Sequence, residues 1–249
     1  MKNSDKTEKA GINAREAAAA VSADIRNLAT PEFKKVQARF FRDEIKIRGT
    51  RSQDVKKIAQ KHWKEFKKLD KEEILAICEE LYKSGYLEET LIVPEFISRL
   101  RKQYAVDDIR RFENLIDTYI KNWAACDGFC TRVMGEYLEK YPENMPVLKK
   151  WAVSENLWLR RAAAVSLIKP ARKGDYLPEA FEIAGILLND AEDMVQKGYG
   201  WLLKEESRRH SREVLDYVIE NKQKMPRTAL RYAIELMSED MKAQAMKKD

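Results

Sequence analysis

The residue with the most suggestive chemical context is Asp127, the only acid in the run NWAACDGFC (122–130). Trp123 lies four residues before it, and positions i and i+4 share one face of a helix. A carboxylate held beside an aromatic ring can stabilise positive charge that develops on a bound molecule. Spacing alone leaves the ordinary interpretation open, in which Asp127 is an acid near a helix start, favoured by the helix dipole.

Other kinds of catalytic site find little support in the sequence. The two histidines, His62 and His210, are far apart, and His62 lies in an apolar stripe that predicts a core position. Cys126 and Cys130 have a spacing that could bridge a metal on a helix, but no partner ligands stand nearby, and we expect both to pack as small hydrophobes. No phosphate-binding loop, dinucleotide fingerprint or kinase motif is present. The sequence therefore predicts no metal and no organic cofactor.

Length and composition describe a soluble globular protein. The chain has 249 residues, of which 44% are hydrophobic and 35% charged. Its nine glycines and seven prolines are few, which argues against turn-rich all-β folds. No stretch approaches 18 uncharged apolar residues, and the N-terminus lacks the apolar region of a secretory signal. Together with three unpatterned cysteines, these features predict a cytoplasmic protein without membrane contact, with a flexible segment at 1–12 and one domain at 13–249.

Apolar residues at helical spacing cover nearly all of the chain after its first dozen residues. One clear stripe consists of Val55, Ile58, Ala59, His62, Trp63 and Phe66. Further helices are predicted at 86–104, 107–120, 122–139, 142–154, 156–168, 176–189, 192–206, 209–222 and 226–237. Their N-caps are predicted at Asp107, Asn122, Asn156, Asp190 and Ser207. Because no useful run of alternating apolar residues occurs, the predicted fold class is all-α.

The predicted helices form pairs, and the pairs repeat. The second helix of each pair starts near 86, 122, 156, 192 and 226, at intervals of 36, 34, 36 and 34 residues. Helix pairs at this period are typical of α-solenoids, and the residue pattern of tetratricopeptide repeats is missing, which favours HEAT-like pairs. We expect the pairs to stack into a curved α-solenoid with one continuous core, whose second helices line the concave surface.

The repeat register predicts what that concave surface carries. Five residues after the predicted starts lie Leu91, Asp127, Arg161, Lys197 and Arg231. Trp123 lies one turn before Asp127, and Trp201 lies one turn after Lys197. The predicted groove is a row of cations with two tryptophans and one carboxylate. Core positions for both tryptophans and a surface ion pair for Arg161 remain the alternatives.

The distribution of charge agrees with a basic groove. The net charge is +6 and the isoelectric point is about 9.0. Residues 34–68 contain 13 basic and 4 acidic side chains, and residues 145–175 contain 7 and 2, whereas residues 176–195 contain none and 5. Basic residues concentrated in blocks suit a surface that faces a polyanion, although solvated helix faces give a similar pattern.

Four segments resemble the DNA alkylation repair glycosylases of the HEAT-like repeat type, the AlkD-like family. They fall in order over about residues 31–237, and their combination is fairly specific. The segments are IDTYIKNWAACDGFC (116–130), WAVSENLWLRRAAAVSL (151–167), MVQKGYGWLLKE (194–205) and MPRTALRYAIE (225–235).

The resemblance implies roles for individual residues. An N-W-x-x-x-D run supplies a tryptophan and the essential acid in that family, which match Trp123 and Asp127. A W-L-x-R run supplies a phosphate-binding arginine, matching Arg161, and a Q-K-x-x-G-W run supplies the second tryptophan, matching Trp201. The repeat register adds Lys197 and Arg231 as further phosphate-binding residues.

The implied activity is hydrolysis of the N-glycosidic bond of N3- or N7-alkylated purines in duplex DNA, without base flipping. Alkylation makes the base cationic and a good leaving group, so no general acid is required. Positive charge then develops on the deoxyribose, where a carboxylate can stabilise it and orient the attacking water. The expected partner is duplex DNA carrying alkylated bases, bound by a monomer.

Two other functions remain open from the sequence. One is a non-catalytic HEAT-like protein that binds damaged or branched DNA. The other is a protein–protein scaffold, for which the groove should be acidic or apolar in places rather than cationic.

Overall fold

The computed structural model describes residues 13–247 of the chain, so the flexible segment expected at 1–12 lies outside the described residues. Within the described range the protein is helical and contains no β-strand, which confirms the all-α fold class. None of the helices in this range is long and apolar enough to cross a membrane. The chain divides after Ile97 into two compact units.

In the first unit, residues 13–97 are described and form five helices. They are α1 (Ala14–Asn27), α2 (Pro31–Ala38), α3 (Ser52–Phe66), α4 (Lys71–Lys83) and α5 (Leu87–Ile97). Asp70 begins α4 with a capping box, in which its carboxylate accepts from the backbone of Glu73 and the Glu73 carboxylate accepts from the backbone of Asp70. His62 is largely covered, and its Nε2 lies 2.8 Å from Oδ2 of Asp24.

The second unit contains the remaining helices. They are α6 (Asp108–Tyr119), α7 (Trp123–Phe129), α8 (Gly135–Lys140), α9 (Val147–Ala152), α10 (Leu157–Val165), α11 (Ile168–Ala171), α12 (Leu177–Ile186), α13 (Asp193–Glu206), α14 (Ser211–Asn221), α15 (Arg227–Ala233) and α16 (Glu239–Met246). A π-helical turn, Cys130–Met134, joins α7 to α8. Among these helices, α10 packs against α7 and α13, and α13 packs against α15.

The predicted helix starts are confirmed with a constant offset. The helices begin at Leu87, Trp123, Leu157, Asp193 and Arg227, each one residue after the predicted start, so the intervals of 36, 34, 36 and 34 are preserved. The offset arises because the predicted residue is the cap. The side chains of Asn122 and Asn156 accept from the first turns of α7 and α10. Curvature into a solenoid and a single domain over 13–249 stay predictions.

Two of the predicted N-caps are wrong. Ser207 closes α13 at its C-terminal end, and α14 begins only at Ser211, after His210. Asp190 lies two residues before the cap of α13 at Glu192; one of its carboxylate oxygens accepts from the Glu192 backbone and the other from Arg160.

Glycine allows two helices of the second unit to approach each other closely. A Cβ at Gly200 of α13 would lie 2.8 Å from the carbonyl oxygen of Ala229 and from Cβ of Tyr232 in α15. Backbone atoms cannot move aside as a flexible side chain can, so this contact requires the glycine. It fixes α13 against α15.

Candidate functional site

Helix α7 carries Trp123 at its first position and Asp127 one turn later. Asn122 precedes the helix in an extended conformation, and its side chain accepts from the Ala125 backbone at 2.9 Å. Cys126 and Phe129 point into the core, where Phe129 meets Phe112 edge to face at 5.8 Å. Because these apolar residues fix the rotation of α7, Asp127 lies on the more exposed part of the helix, and the Trp123 side chain is partly covered.

Asp127 forms a bidentate ion pair with Arg161 of α10. Oδ1 accepts from Nε at 2.8 Å, and Oδ2 accepts from Nη2 at 2.8 Å. The Arg161 side chain is 6% exposed and that of Asp127 is 17% exposed. Paired hydrogen bonds of this kind fix the carboxylate in one plane and one orientation. The Asp127 side chain is thus fixed in orientation and only partly covered.

The other side of Arg161 rests on α13. Its Nη1 donates to the carbonyl oxygen of Met194, and Gly198 leaves room for the side chain, since a Cβ there would lie 3.3 Å from Cγ of Arg161. Burial would lower the pKa of Arg161, but attraction to Asp127 and the hydrogen bonds between them outweigh it and raise the pKa. The guanidinium therefore remains charged in its buried position.

In the structure the Arg161 side chain is buried and bonded to protein atoms. Each of its three side-chain nitrogens donates to a protein acceptor, on Asp127 or Met194. The ion-pair alternative describes it better, although the pair is buried rather than on the surface. Arg160 turns the opposite way and binds Asp190, with Nε 2.6 Å from Oδ2. A phosphate contact by Arg161 stays a prediction.

The two cysteines of α7 and the π-helical turn are packed and inert. Cys126 and Cys130 are fully buried, which confirms the predicted packing role, and their Sγ atoms lie 4.0 Å apart. The Cys126 thiol also donates to the carbonyl oxygen of Trp158. Burial and the neighbouring Cys130 raise the pKa of Cys126, so the thiol stays protonated. Among residues 13–247 no group of three or more His, Cys, Asp or Glu side chains could hold a metal ion.

The other two predicted phosphate-binding residues lie nearer the surface. Lys197 follows Asp193 by one turn on α13 and binds it with Nζ 2.7 Å from Oδ2. Arg231 is exposed on α15. The Lys197–Asp193 pair is partly exposed, and a phosphate contact by Lys197 stays a prediction.

Trp201 is held by a residue that the sequence reasoning missed. Its Nε1 donates to Oε1 of Glu205 at 2.9 Å, one turn later on α13. Glu205 is buried and also binds Arg172 and Arg208. The spacing Trp201-x-x-x-Glu205 is visible in the sequence. Because acids at i,i+4 from another side chain are common on solvated helix faces, the spacing alone does not indicate a buried hydrogen bond.

The structure thus brings together part of the predicted set. Asp127 and Arg161 are in contact, and Arg161 reaches α13 beside Gly198, the neighbour of Lys197. This agrees with the repeat register, which places Asp127, Arg161 and Lys197 at the same offset in successive second helices. The catalytic and phosphate-binding roles of these residues stay predictions.

The family of the chain follows from its sequence as a whole. The family model for DNA alkylation repair enzymes matches residues 21–237. The protein belongs to this family. Among curated proteins, none matches the chain.

Solved structures share the fold at low sequence identity. A predicted DNA alkylation repair enzyme from Enterococcus faecalis is 15% identical, with a TM-score of 0.75 over 85% of this chain and 97% of that one. AlkD2 from Streptococcus mutans is 18% identical, with a TM-score of 0.62 over 91% and 100% of the two chains. The alkylpurine DNA glycosylase AlkC from Pseudomonas fluorescens, bound to DNA containing an abasic-site analogue, is 14% identical, with a TM-score of 0.56 over 93% and 65%.

Proposed function

We propose that the protein is a DNA glycosylase that hydrolyses the N-glycosidic bond of cationic N3- or N7-alkylpurines in duplex DNA. Membership of the DNA alkylation repair enzyme family supports a role in alkylation repair. The observation that carries the proposal of catalysis is the position of Asp127, a carboxylate that Arg161 holds in one orientation and whose side chain is 17% exposed.

The chemistry suits a site that contains a carboxylate and no general acid. Alkylation places a formal positive charge on the purine, which leaves as a neutral base when the glycosidic bond breaks. The electron pair of the bond goes to the base, and positive charge develops at C1′ and the ring oxygen of the deoxyribose. Water then adds its hydroxyl to C1′ and releases a proton. Asp127 would stabilise the sugar cation and accept or direct that proton.

Arg161 would act on Asp127 rather than on DNA. A positive neighbour weakens the attraction of a carboxylate for a second cation, but its paired hydrogen bonds also prevent the carboxylate from rotating away. Arg161 uses one lone pair on each carboxylate oxygen of Asp127, and each oxygen has a second lone pair that a substrate would use. Catalysis depends on a charge already fixed in position before the reaction begins.

The remaining site residues would bind the DNA around the lesion. Trp123 and Trp201 offer aromatic faces to the sugar and backbone of the lesion nucleotide and to the developing cation. Lys197 and Arg231 would neutralise flanking phosphates. We propose that the lesion is processed within the duplex, so that selection depends on the weakened glycosidic bond of a cationic base.

The ion pair also favours a second candidate function. If Asp127 serves only to neutralise the buried Arg161, the protein is a non-catalytic DNA-binding member of the family. The two functions differ in one measurement, the release of 7-methylguanine from alkylated duplex DNA by the purified protein. Release that rises with enzyme concentration supports the glycosylase. DNA binding without release supports the second candidate.

A further inference from the structure

Glu205 stands out as a buried charge next to a proposed substrate-binding side chain. It follows Trp201 by one turn of α13, and its side chain is 2% exposed. Its Oε1 accepts the indole Nε1–H of Trp201 at 2.9 Å. A buried carboxylate is costly unless it is paired and hydrogen-bonded, so its partners decide whether it can persist as an ion.

Two arginines supply those partners. Oε2 of Glu205 accepts from Nε of Arg172 at 3.0 Å and from Nε of Arg208 at 2.6 Å. Burial alone would raise the pKa of Glu205, but the hydrogen bonds from Arg208, Arg172 and Trp201 outweigh it and hold the pKa below the usual value. The carboxylate is therefore an ionised acceptor, and a hydrogen bond to an ion is stronger than one between neutral groups.

The neighbouring buried acid, Glu206, lacks the hydrogen bonds that Glu205 makes. Glu206 is also buried, but neither of its carboxylate oxygens has a hydrogen-bond partner. It points away from Trp201 by the turn of the helix, about 100° per residue. Of the two neighbouring glutamates, Glu205 is the one bonded to the indole.

A hydrogen bond at Nε1 restricts the tryptophan in a useful way. An indole on a helix can turn about χ1 and χ2, and a bond at one end of the ring fixes both torsions. The bond lies in the ring plane, so it leaves the faces of the ring available to a sugar or a cation. The arginines hold Glu205, and Glu205 in turn holds the ring.

We propose that Glu205 is a positioning residue that sets the orientation of the Trp201 indole and through it the rate of base excision. The inference rests on the proposed function, in which Trp201 contacts the lesion nucleotide. Glu205 itself touches no substrate. Its effect on excision should therefore disappear when residue 201 can no longer donate a hydrogen bond.

A double-mutant cycle tests this dependence. Glu205→Leu keeps most of the side-chain volume and removes the acceptor, and Trp201→Phe removes the donor. We expect Glu205→Leu to slow single-turnover release of 7-methylguanine about 10-fold or more. In the Trp201→Phe background the same change should add less than about 2-fold, because the two substitutions break one bond. Independent effects that multiply would overturn the proposal.

Further variants separate positioning from general damage. Glu205→Gln keeps a carbonyl oxygen for the indole and should stay within about 3-fold of the wild type. Glu206→Gln changes the adjacent buried acid and should not slow excision. If Glu205→Leu does not fold, Glu205→Asp takes its place in the double-mutant cycle. The shorter side chain keeps a negative charge for the arginines but no longer reaches the indole Nε1 of Trp201. Equal losses from Glu205→Gln and Glu206→Gln would contradict the proposal.

A spectroscopic measurement keeps the test independent of activity. The fluorescence of Trp201 is obtained by subtracting the emission spectrum of the Trp201→Phe variant from that of the otherwise identical protein. We expect Glu205→Leu to make this emission more accessible to acrylamide quenching, and unchanged quenching would contradict the positioning role. If the wild type releases no base at all, the proposed glycosylase function fails, while the quenching result still decides whether Glu205 orients Trp201.

Discussion

Both carboxylate oxygens of Asp127 lie 2.8 Å from nitrogens of one guanidinium, that of Arg161. The two residues are on neighbouring helices, 34 positions apart, which is the interval of the helix-pair repeat. The acid proposed to perform catalysis is therefore held by the corresponding position of the next pair. In the proposed mechanism Arg161 would orient Asp127, and the phosphate contact expected of Arg161 stays a separate prediction.

Substitution of Arg161 should separate these roles. Arg161→Ala leaves the Asp127 carboxylate without its partner, so we expect a loss of about 3 kcal/mol in unfolding free energy and slower excision. Because the guanidinium is buried, the slope of log Kd against log salt concentration for undamaged duplex should not change. Urea denaturation and a salt titration measure the two quantities. A slope reduced by about one charge would show that Arg161 contacts phosphate.

Lys197 should behave in the opposite way. Lys197→Ala removes a cation near the surface and should lower the salt slope by about one while changing stability by less than about 0.5 kcal/mol. Asp193→Asn is the matched variant, since it frees Lys197 from its ion pair and should tighten DNA binding without lowering the slope. If Lys197→Ala leaves the slope unchanged, Lys197 does not contact the DNA.

Gly198 and Gly200 should respond differently to alanine. In both positions alanine gains about 1 kcal/mol of helix propensity over glycine. At Gly200 the new Cβ would meet the Ala229 carbonyl oxygen at 2.8 Å, and since a backbone cannot give way, we expect a net loss of stability. At Gly198 the neighbour is the Arg161 side chain at 3.3 Å, which can shift by a few tenths of an ångström.

The expected results for these alanine variants follow from that contrast. Gly198→Ala should retain the melting temperature within a few degrees but slow excision, because Arg161 and the carboxylate that it holds are displaced. Gly200→Ala should lower the melting temperature. Unchanged excision by Gly198→Ala would mean that the exact placement of Arg161 is unimportant.

Glu206 should make stability fall as the pH rises. Burial raises the pKa of Glu206 to about 7, with Asp175 and Glu179 also raising it and His210 lowering it. The unfolded carboxyl has a pKa near 4.5. Since the folded value is higher, the contribution of this group is fully present below pH 4.5 and is lost as the pH rises to about 7.

Replacement of Glu206 by an uncharged residue should remove this dependence. Glu206→Gln should be more stable than the wild type by a margin that grows between about pH 4.5 and 7 and reaches about 3 kcal/mol. Denaturant unfolding at a series of pH values measures it, with Glu205→Gln as a control of opposite sign, because the pKa of Glu205 is lowered. A stability difference between Glu206→Gln and the wild type that does not vary with pH would contradict a raised pKa at Glu206.

Local rules predicted the helices well but not the contacts between them. The caps at Asn122 and Asn156 depend on neighbouring backbone atoms, so the starts of α7 and α10 were predictable to one residue. The choice between Arg160 and Arg161 was not predictable in the same way. The two side chains differ by about 100° around the helix, and which one reaches Asp127 depends on how α10 packs against α7 and α13.

The central claim concerns the charge on Asp127, which Asp127→Asn removes with little change of shape. We expect the variant to bind duplex DNA as tightly as the wild type and to lose about 100-fold or more in excision rate. Binding should not weaken because a carboxylate beside phosphates repels them in the ground state. A loss of rate without a loss of binding isolates a role in the transition state.

The most direct measurement is the single-turnover release of 7-methylguanine, and of hypoxanthine as a neutral base, by the wild type and by Asp127→Asn. The wild type should release the cationic base and hardly any hypoxanthine, because no general acid is proposed to protonate a neutral leaving base. The variant should release little of either. Release of 7-methylguanine by Asp127→Asn at the wild-type rate would contradict catalysis by Asp127, and equal release of both bases by the wild type would contradict the mechanism.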